Sequence, residues 1–276
     1  RIGDWVGRGA RTGARLLVLP EYGAMEAADA VGAVTGLDLA ASLRAVAEAM
    51  PALDAIHATL ARRHRLHILA ASGPRLRGDG RFVNGARLFA PDGSSGLAEK
   101  SIMTPFEVDW GIAPGSGGVV FETALGRIGV AICYDSEFPL LVRAQCEAGA
   151  DVVLIPTCTE RESGYHRVRS AALARALEGQ VATVLAPTTG ETPWLLACDH
   201  NTGAAGIYAP AEAALAPTGV VAEGRLDDPG WVVGDIDLAG LKRVRTAGEM
   251  RNRTDWQHQP GAASLAAAVR IVRVGL

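Results

Sequence analysis

Cys133 closes an apolar run in Ile132-Cys133-Tyr134-Asp135, and helical spacing resumes at Phe138. A thiol at a strand-to-helix turn has the geometry of a nucleophile elbow. The helix N-terminus favours a thiolate, and the N–H groups of the turn can bind an oxyanion. Taken alone, the position also suits a small buried cysteine that only packs. Glu21 follows Leu19-Pro20, where the proline stops a strand. A carboxylate at the rim of an apolar sheet is partly desolvated, which raises its pKa and suits it to proton transfer. Lys100, in Glu99-Lys100-Ser101-Ile102, follows the turn Gly93-Ser94-Ser95-Gly96 and sits on or just after a short strand. Its ammonium could stand where negative charge develops. Singly, Glu21 also reads as a loop or helix-capping carboxylate and Lys100 as a solvent-facing strand lysine.

Other polar groups compete for these roles. His166 could serve as the base of a Cys–His enzyme, or make a polar contact on a helix that also carries Tyr165, Arg167 and Arg169. His64 and His67 are three apart but lack a third ligand at suitable spacing, so no metal site is expected. Cys158, in Pro156-Thr157-Cys158-Thr159, follows a strand and is placed to line a pocket, whereas Cys146 reads as core. No phosphate-binding G-x-x-x-x-G-K-[ST] loop exists, and Gly111, Gly115, Gly117 and Gly118 open no βαβ unit.

The elements that must position these residues alternate between strand and helix. Residues 1–13 read as the end of a helix, Leu16–Leu19 as a buried strand, and 38–64 as a helix that Pro51 should split or kink. Strands are predicted at 67–70, 83–90, 127–133, 151–155 and 181–186. Helices are predicted at 138–148, 165–180 and 238–246, with Pro139 in a first turn, where proline is tolerated. The last third, with Gly206-Ile207-Tyr208 and Trp231-Val232-Val233, looks richer in strand. The glycine-rich pieces near 93–96 and 115–118 look like loops. Such alternation favours a layered α/β fold.

Composition narrows the partners. The 276 residues are 49% apolar, which suits one large α/β domain or two small ones. Lys plus Arg (27) nearly balance Asp plus Glu (30), giving a net charge of −3 and no basic field for nucleic acid. No uncharged apolar run is long enough to span a membrane. Four cysteines in so long a chain form no disulfide scaffold, and a reducing, cytoplasmic setting is expected. The first residue is Arg1, not Met, so the chain is expected to begin inside a longer one.

Together, three motifs resemble the nitrilase, or carbon–nitrogen hydrolase, superfamily: Leu17-Val18-Leu19-Pro20-Glu21, Glu99-Lys100-Ser101-Ile102, and Gly129-Val130-Ala131-Ile132-Cys133-Tyr134-Asp135 with Phe138-Pro139. Ala148–Pro156 and Ala174–Gln180 are similar to further family segments, so the likeness covers nearly the whole chain. The resemblance implies one carbon–nitrogen hydrolase domain over 1–276, built as a four-layer α-β-β-α sandwich. It implies a catalytic triad of Glu21, Lys100 and Cys133, with Glu107 and Tyr134 in support. Tyr22, Glu137, Thr157 and Cys158 are expected to bind substrate. The loops near 22–36, 103–118, 158–165 and 189–204 would shape the pocket. It further implies a small-molecule amide substrate, no metal or organic cofactor, and pairing into a homodimer or larger homo-oligomer. Relatives open with a strand that has no counterpart here, which would leave a sheet one strand short.

Two departures bear on the substrate. Where several carbamoyl- and ω-amide-cleaving relatives carry an Arg shortly after the cysteine, this chain has Ser136-Glu137. An acidic group repels a carboxylate, so an uncharged or cationic amide fits better. Nitrile-cleaving members usually have Trp-Glu after the cysteine, and Tyr134-Asp135 stands closer to the amidase side. The expected reaction is hydrolysis of a non-peptide carbon–nitrogen bond through a thioester. Nitrile hydrolysis, acyl transfer and a silent oligomeric binding protein are the alternatives.

Overall fold

A computed structural model describes residues 1–31, 37–262 and 269–275. The loop segment 32–36, part of the expected pocket rim, lies outside the described residues. In chain order the elements begin with helix α1 (Ile2–Ala10), strand β1 (Leu16–Val18), a 3-10 segment (Gly23–Val31) and helix α2 (Leu39–His64). Then come β2 (His67–Leu69), β3 (Gly73–Leu76), β4 (Phe82–Phe89), β5 (Ser95–Glu99) and the short helix α3 (Pro105–Asp109). Strands β6 (Gly118–Thr123) and β7 (Gly126–Val130) lead into a 3-10 turn (Cys133–Glu137) and helix α4 (Pro139–Glu147). They are followed by β8 (Val152–Thr157), α5 (Glu162–Gly179), β9 (Ala182–Pro187), β10 (Gly190–Glu191), β11 (His200–Asn201), β12 (Gly206–Tyr208) and β13 (Val220–Glu223). Helices α6 (Leu238–Ala247) and α7 (Asn252–Asp255) and strand β14 (Val269–Arg273) close the described chain.

Two sheets carry the fold. In the first, β1 pairs parallel with β2, and β4 pairs antiparallel with β2, β3 and β5. The second runs β13-β12-β9-β8-β7-β6-β14, with β7, β8 and β9 parallel at its centre. β8 is buried on both faces, which explains why Val152-Val153-Leu154-Ile155 is unbroken apolar sequence. Between the sheets, Ala86, Leu88 and Ala98 of the first share one core with Val120, Phe121, Ile128 and Leu154 of the second. α1 and α2 cover the outer face of the first sheet through Val6, Leu60 and Ala61. α4 and α5 cover the second through Val142, Val168 and Ala176. The layers are therefore α-β-β-α.

Several sequence expectations change here. α2 is not split: it runs 26 residues through Pro51. Proline removes one backbone hydrogen bond, and burial of Leu43, Val46 and Met50 ahead of it with Leu60 and Ala61 beyond holds the helix together. Asp38 starts it by accepting from Ala41 N at 3.0 Å. Residues 231–233 form no strand; Trp231 instead stacks on Trp5, ring centroids 5.4 Å apart, and donates from Nε1 to Trp5 O. Gly118 opens strand β6 and does not extend the loop before it. Among the described residues β1 pairs only with β2, and a cleft of about 1320 Å³ runs beside it, lined by Leu16, Val18, Ile128, Val152 and Val184. No described helix is long and apolar enough to cross a membrane.

The packing between the sheets gives a stability test. A methyl on Gly96 of β5 would stand 2.4 Å from Cε1 of the fully buried Phe121, whereas one on Gly78 would meet nothing within 4 Å. Gly96→Ala is expected to lower stability by about 1–3 kcal/mol in urea unfolding, and Gly78→Ala to stay within about 0.5 kcal/mol of wild type. Equal midpoints for the two variants would contradict the packing.

Candidate active site

Three chain segments meet where the two sheets end. β1 ends at Val18, and beyond Pro20 Tyr22 takes a positive φ of 54° to turn the chain. Ser72 Oγ accepts from Tyr22 N at 3.1 Å, and Thr188 Oγ1 donates to Glu21 O at 2.6 Å, so the Glu21 backbone is tied to both sheets. Lys100 follows β5 directly, its N–H bonded to Asn84 O at 2.9 Å. Cys133 follows β7 with φ 49°, a left-handed conformation that costs a non-glycine residue about 1–3 kcal/mol. The 3-10 turn it opens supplies the elbow, and Ser136 Oγ donates back to Cys133 O at 2.6 Å.

Lys100 is the centre of the cluster and is almost wholly buried. Its Nζ lies 2.8 Å from Glu21 Oε1 and 2.6 Å from Glu107 Oε2. Glu107 caps α3 through Thr104, whose N–H and Oγ1 both bond Glu107 Oε2 at 3.0 Å. Tyr22 Oη donates to Glu107 Oε1 at 2.8 Å. Asn84, buried in β4, uses its single Nδ2 to bridge the two carboxylates, at 3.0 Å to Glu21 Oε1 and 3.1 Å to Glu107 Oε1. The Asp135 carboxylate accepts from Ser101 N and from Ile102 N, the latter at 2.8 Å. It thereby clasps the lysine loop to the cysteine turn.

These contacts decide the protonation states. Burial and the nearby Glu107 charge push Glu21 up to about 7, against the pull of Lys100. Burial also pushes Glu107 upward, but Lys100 and the Thr104 and Tyr22 hydrogen bonds outweigh it and hold Glu107 below its ordinary value. Lys100 is disfavoured by burial, yet the two carboxylates raise it well above an ordinary lysine. Burial and the Glu21 charge push the Cys133 thiol up to about 12, while Lys100, Cys158 O and Thr157 favour its thiolate. The cysteine therefore rests as a thiol beside a carboxylate raised toward neutrality, a poise suited to proton transfer.

The structure brings Glu21, Lys100 and Cys133 together, with Glu107 beside them. Cys133 keeps 5% exposure and its Sγ lies 3.8 Å from Cys158 O. Thr157 is fully buried next to that sulfur. Tyr134, second in its turn, has no acceptor for its N–H within the turn, and its ring packs edge-on against Phe138 at 4.8 Å. Tyr22 is occupied by Glu107, so its hydroxyl supports a carboxylate and is not presented to a ligand. Glu137 turns toward Arg167, 3.5 Å away on α5, so its charge is paired and does not reach the cluster. His166 is exposed on α5 and pairs with Glu162 at 3.3 Å, away from the buried cysteine. Among the described residues no group of three or more His, Cys, Asp or Glu side chains is arranged to hold a metal. Asn84 and Asp135 were not among the candidates; an asparagine in a buried β4 pattern was the available signal for the first.

Comparison with known proteins gives the family and the fold. The family model described as carbon–nitrogen hydrolase matches residues 4–246. A probable hydrolase, YhcX, of Bacillus subtilis is 39% identical over 178 residues, which is 64% of this chain and 35% of that protein. The chain thus spans only about a third of that relative. A deaminated glutathione amidase of Synechocystis is 30% identical over 201 residues, 68% of this chain and 70% of that enzyme. Among solved structures, a carbon–nitrogen hydrolase from Helicobacter pylori superposes with a TM-score of 0.71 at 18% identity, over 88% of this chain and 86% of its own. A glutamate-to-glutamine mutant of an amidase from Nesterenkonia superposes at 0.66 and 23% identity, over 88% of each chain, with acrylamide added at its active-site cysteine.

The electrostatics set a pH dependence. A base must be ionised to act, so kcat/KM for an amide substrate is expected to fall as pH drops through about 7, where Glu21 takes up its proton. Asn84→Ala removes two N–H contacts that favour the ionised carboxylates, each worth about 1.5–3 kcal/mol. It is expected to move that limb up by about one pH unit. A limb left in place, or moved down, would show that Asn84 does not hold Glu21.

Proposed function

Because the chain belongs to the carbon–nitrogen hydrolase family, we propose that it hydrolyses a small, uncharged amide or carbamoyl amide through a thioester on Cys133. Glu21 accepts the thiol proton as the sulfur attacks the carbonyl carbon. The oxyanion that forms is held by the Lys100 ammonium and the free N–H of Tyr134. One such donor can contribute about 3–4 kcal/mol. As the tetrahedral adduct collapses, the C–N bond breaks and Glu21 gives its proton to the departing nitrogen. The carboxylate then takes a proton from water, which attacks the thioester, and the acid leaves as Cys133 regains its hydrogen.

The observation that carries this reading is one lysine locked between two carboxylates beside a cysteine on a strained elbow. Lys100 cannot wander, since Glu107 holds it at 2.6 Å, and its charge stays in place through the cycle. Glu107, kept ionised, serves as a positioning residue. An uncharged substrate fits because the Lys100 ammonium is already shared by two carboxylates and is not left to hold a substrate carboxylate. A cationic amide stays the closest competitor. The acrylamide adduct on the Nesterenkonia amidase suggests the same electrophile as a probe here.

Ammonia release from a panel of amides, ureas and nitriles tests the proposal. Cys133→Ala is expected to abolish turnover of every compound while the unfolding midpoint holds. Glu21→Gln is expected to lower kcat at least a hundredfold, within the range general bases contribute, and His166→Ala to leave it unchanged. Turnover by Cys133→Ala, or loss with His166→Ala and not with Glu21→Gln, would overturn it.

A further inference from the structure

Two thiols outside the reaction stand side by side at the rim of the site. Cys158 follows β8 directly, and Cys198 sits in the loop joining β10 to β11. Their sulfurs are 4.0 Å apart. One buried asparagine holds both segments: the Cys158 thiol donates to Asn201 Oδ1 at 2.9 Å, and Asn201 Nδ2 donates to Cys198 O at 2.9 Å. Cys158 is partly exposed, and Cys198, though buried, lines the large cleft beside β1. The remaining cysteine, Cys146, is sealed in α4 at 1% exposure.

We propose that Cys158 and Cys198 form an oxidant-responsive dithiol that hydrogen peroxide converts to a disulfide. The Cys198 thiolate attacks a peroxide oxygen: an S–O bond forms, the O–O bond breaks, and the leaving hydroxide takes up the thiol proton as water. The Cys158 sulfur then attacks the Cys198 sulfur: the S–S bond forms, the S–O bond breaks, and a second hydroxide leaves as water with the Cys158 proton. Two thiols give up two electrons, and one hydrogen peroxide becomes two waters. Cys198 is oxidised first because it lines the cleft, and Cys158, its sulfur 4.0 Å away, resolves the sulfenic acid.

Closure needs the sulfurs to approach to about 2.05 Å. Cys158 is anchored to the buried β8, so the movement falls to the 192–199 loop, whose own turns end at Cys198. The bridge would sit one residue beyond Thr157 and on the residue whose carbonyl lies 3.8 Å from Cys133 Sγ. Bridge formation therefore alters a wall of the cysteine site without consuming its nucleophile. This inference does not rest on turnover, and its test separates from that of the proposed reaction.

The test uses the full chain carrying Cys133→Ser, which removes the competing sulfur and leaves three of the four thiols. After treatment with hydrogen peroxide, the free-thiol count is expected to fall from three to one and return with dithiothreitol. Non-reduced peptide mapping should join the peptides containing Cys158 and Cys198. In the unsubstituted chain the same linked pair is expected, and Cys198→Ser should abolish it. Three titratable thiols after treatment would overturn the proposal, as would a bridge that joins Cys146 or Cys133 instead.

Discussion

A single ammonium buried between two carboxylates organises this site. Removing charges from water costs several kcal/mol per ion, and good geometry must offset that cost. Here the geometry comes from parts far apart in sequence: Glu21 beyond β1, Lys100 beyond β5, Glu107 in the capping box of α3, and Asn84 across both carboxylates. With two negative groups on one positive, the cluster carries one charge too many for a dry interior. Glu21 is the group that yields, and so it titrates near neutrality while Glu107 stays ionised. The division of labour between two chemically identical side chains follows from their partners. Glu107 has four hydrogen-bond donors besides Lys100, counting the Thr104 N–H and hydroxyl, Tyr22 and Asn84. Glu21 has fewer and faces the cysteine.

The sandwich exists, for this purpose, to bring strand ends from two sheets to one point. Each sheet contributes what the other lacks. The first supplies the two carboxylates and the ammonium; the second supplies the elbow on which Cys133 sits. Asp135 fastens the two by taking the N–H groups that follow Lys100. That clasp joins the loop after Lys100 to the turn that Cys133 opens.

Much of this was legible along the chain. Glu21, Lys100 and Cys133 each follow a predicted strand, but only the three motifs together, through their resemblance to the nitrilase superfamily, singled them out. Alternating strand and helix patterns favoured a layered α/β fold, and the same resemblance implied its four layers. What the pattern could not show depends on contacts across the fold. Asn84 lies inside β4 and gains its role only from the loops that flank it. Tyr22 and Glu137 sit beside motif residues, yet their side chains are claimed by Glu107 and Arg167, which sequence distance hides. Trp231-Val232-Val233 has strand composition but satisfies itself by stacking on Trp5. The closeness of Cys158 and Cys198, 40 residues apart, depends on the turn of a loop.

The central claim is that Glu21, and not intrinsic thiol acidity, governs the reactivity of Cys133. The rate of Cys133 alkylation by iodoacetamide, followed by peptide mass spectrometry across pH, tests it most directly. In the wild-type chain the rate should level off above about pH 7, and Glu21→Gln should be at least tenfold slower at that plateau. Two superimposable profiles that keep rising toward pH 12, the range to which burial and the Glu21 charge push the thiol, would contradict it.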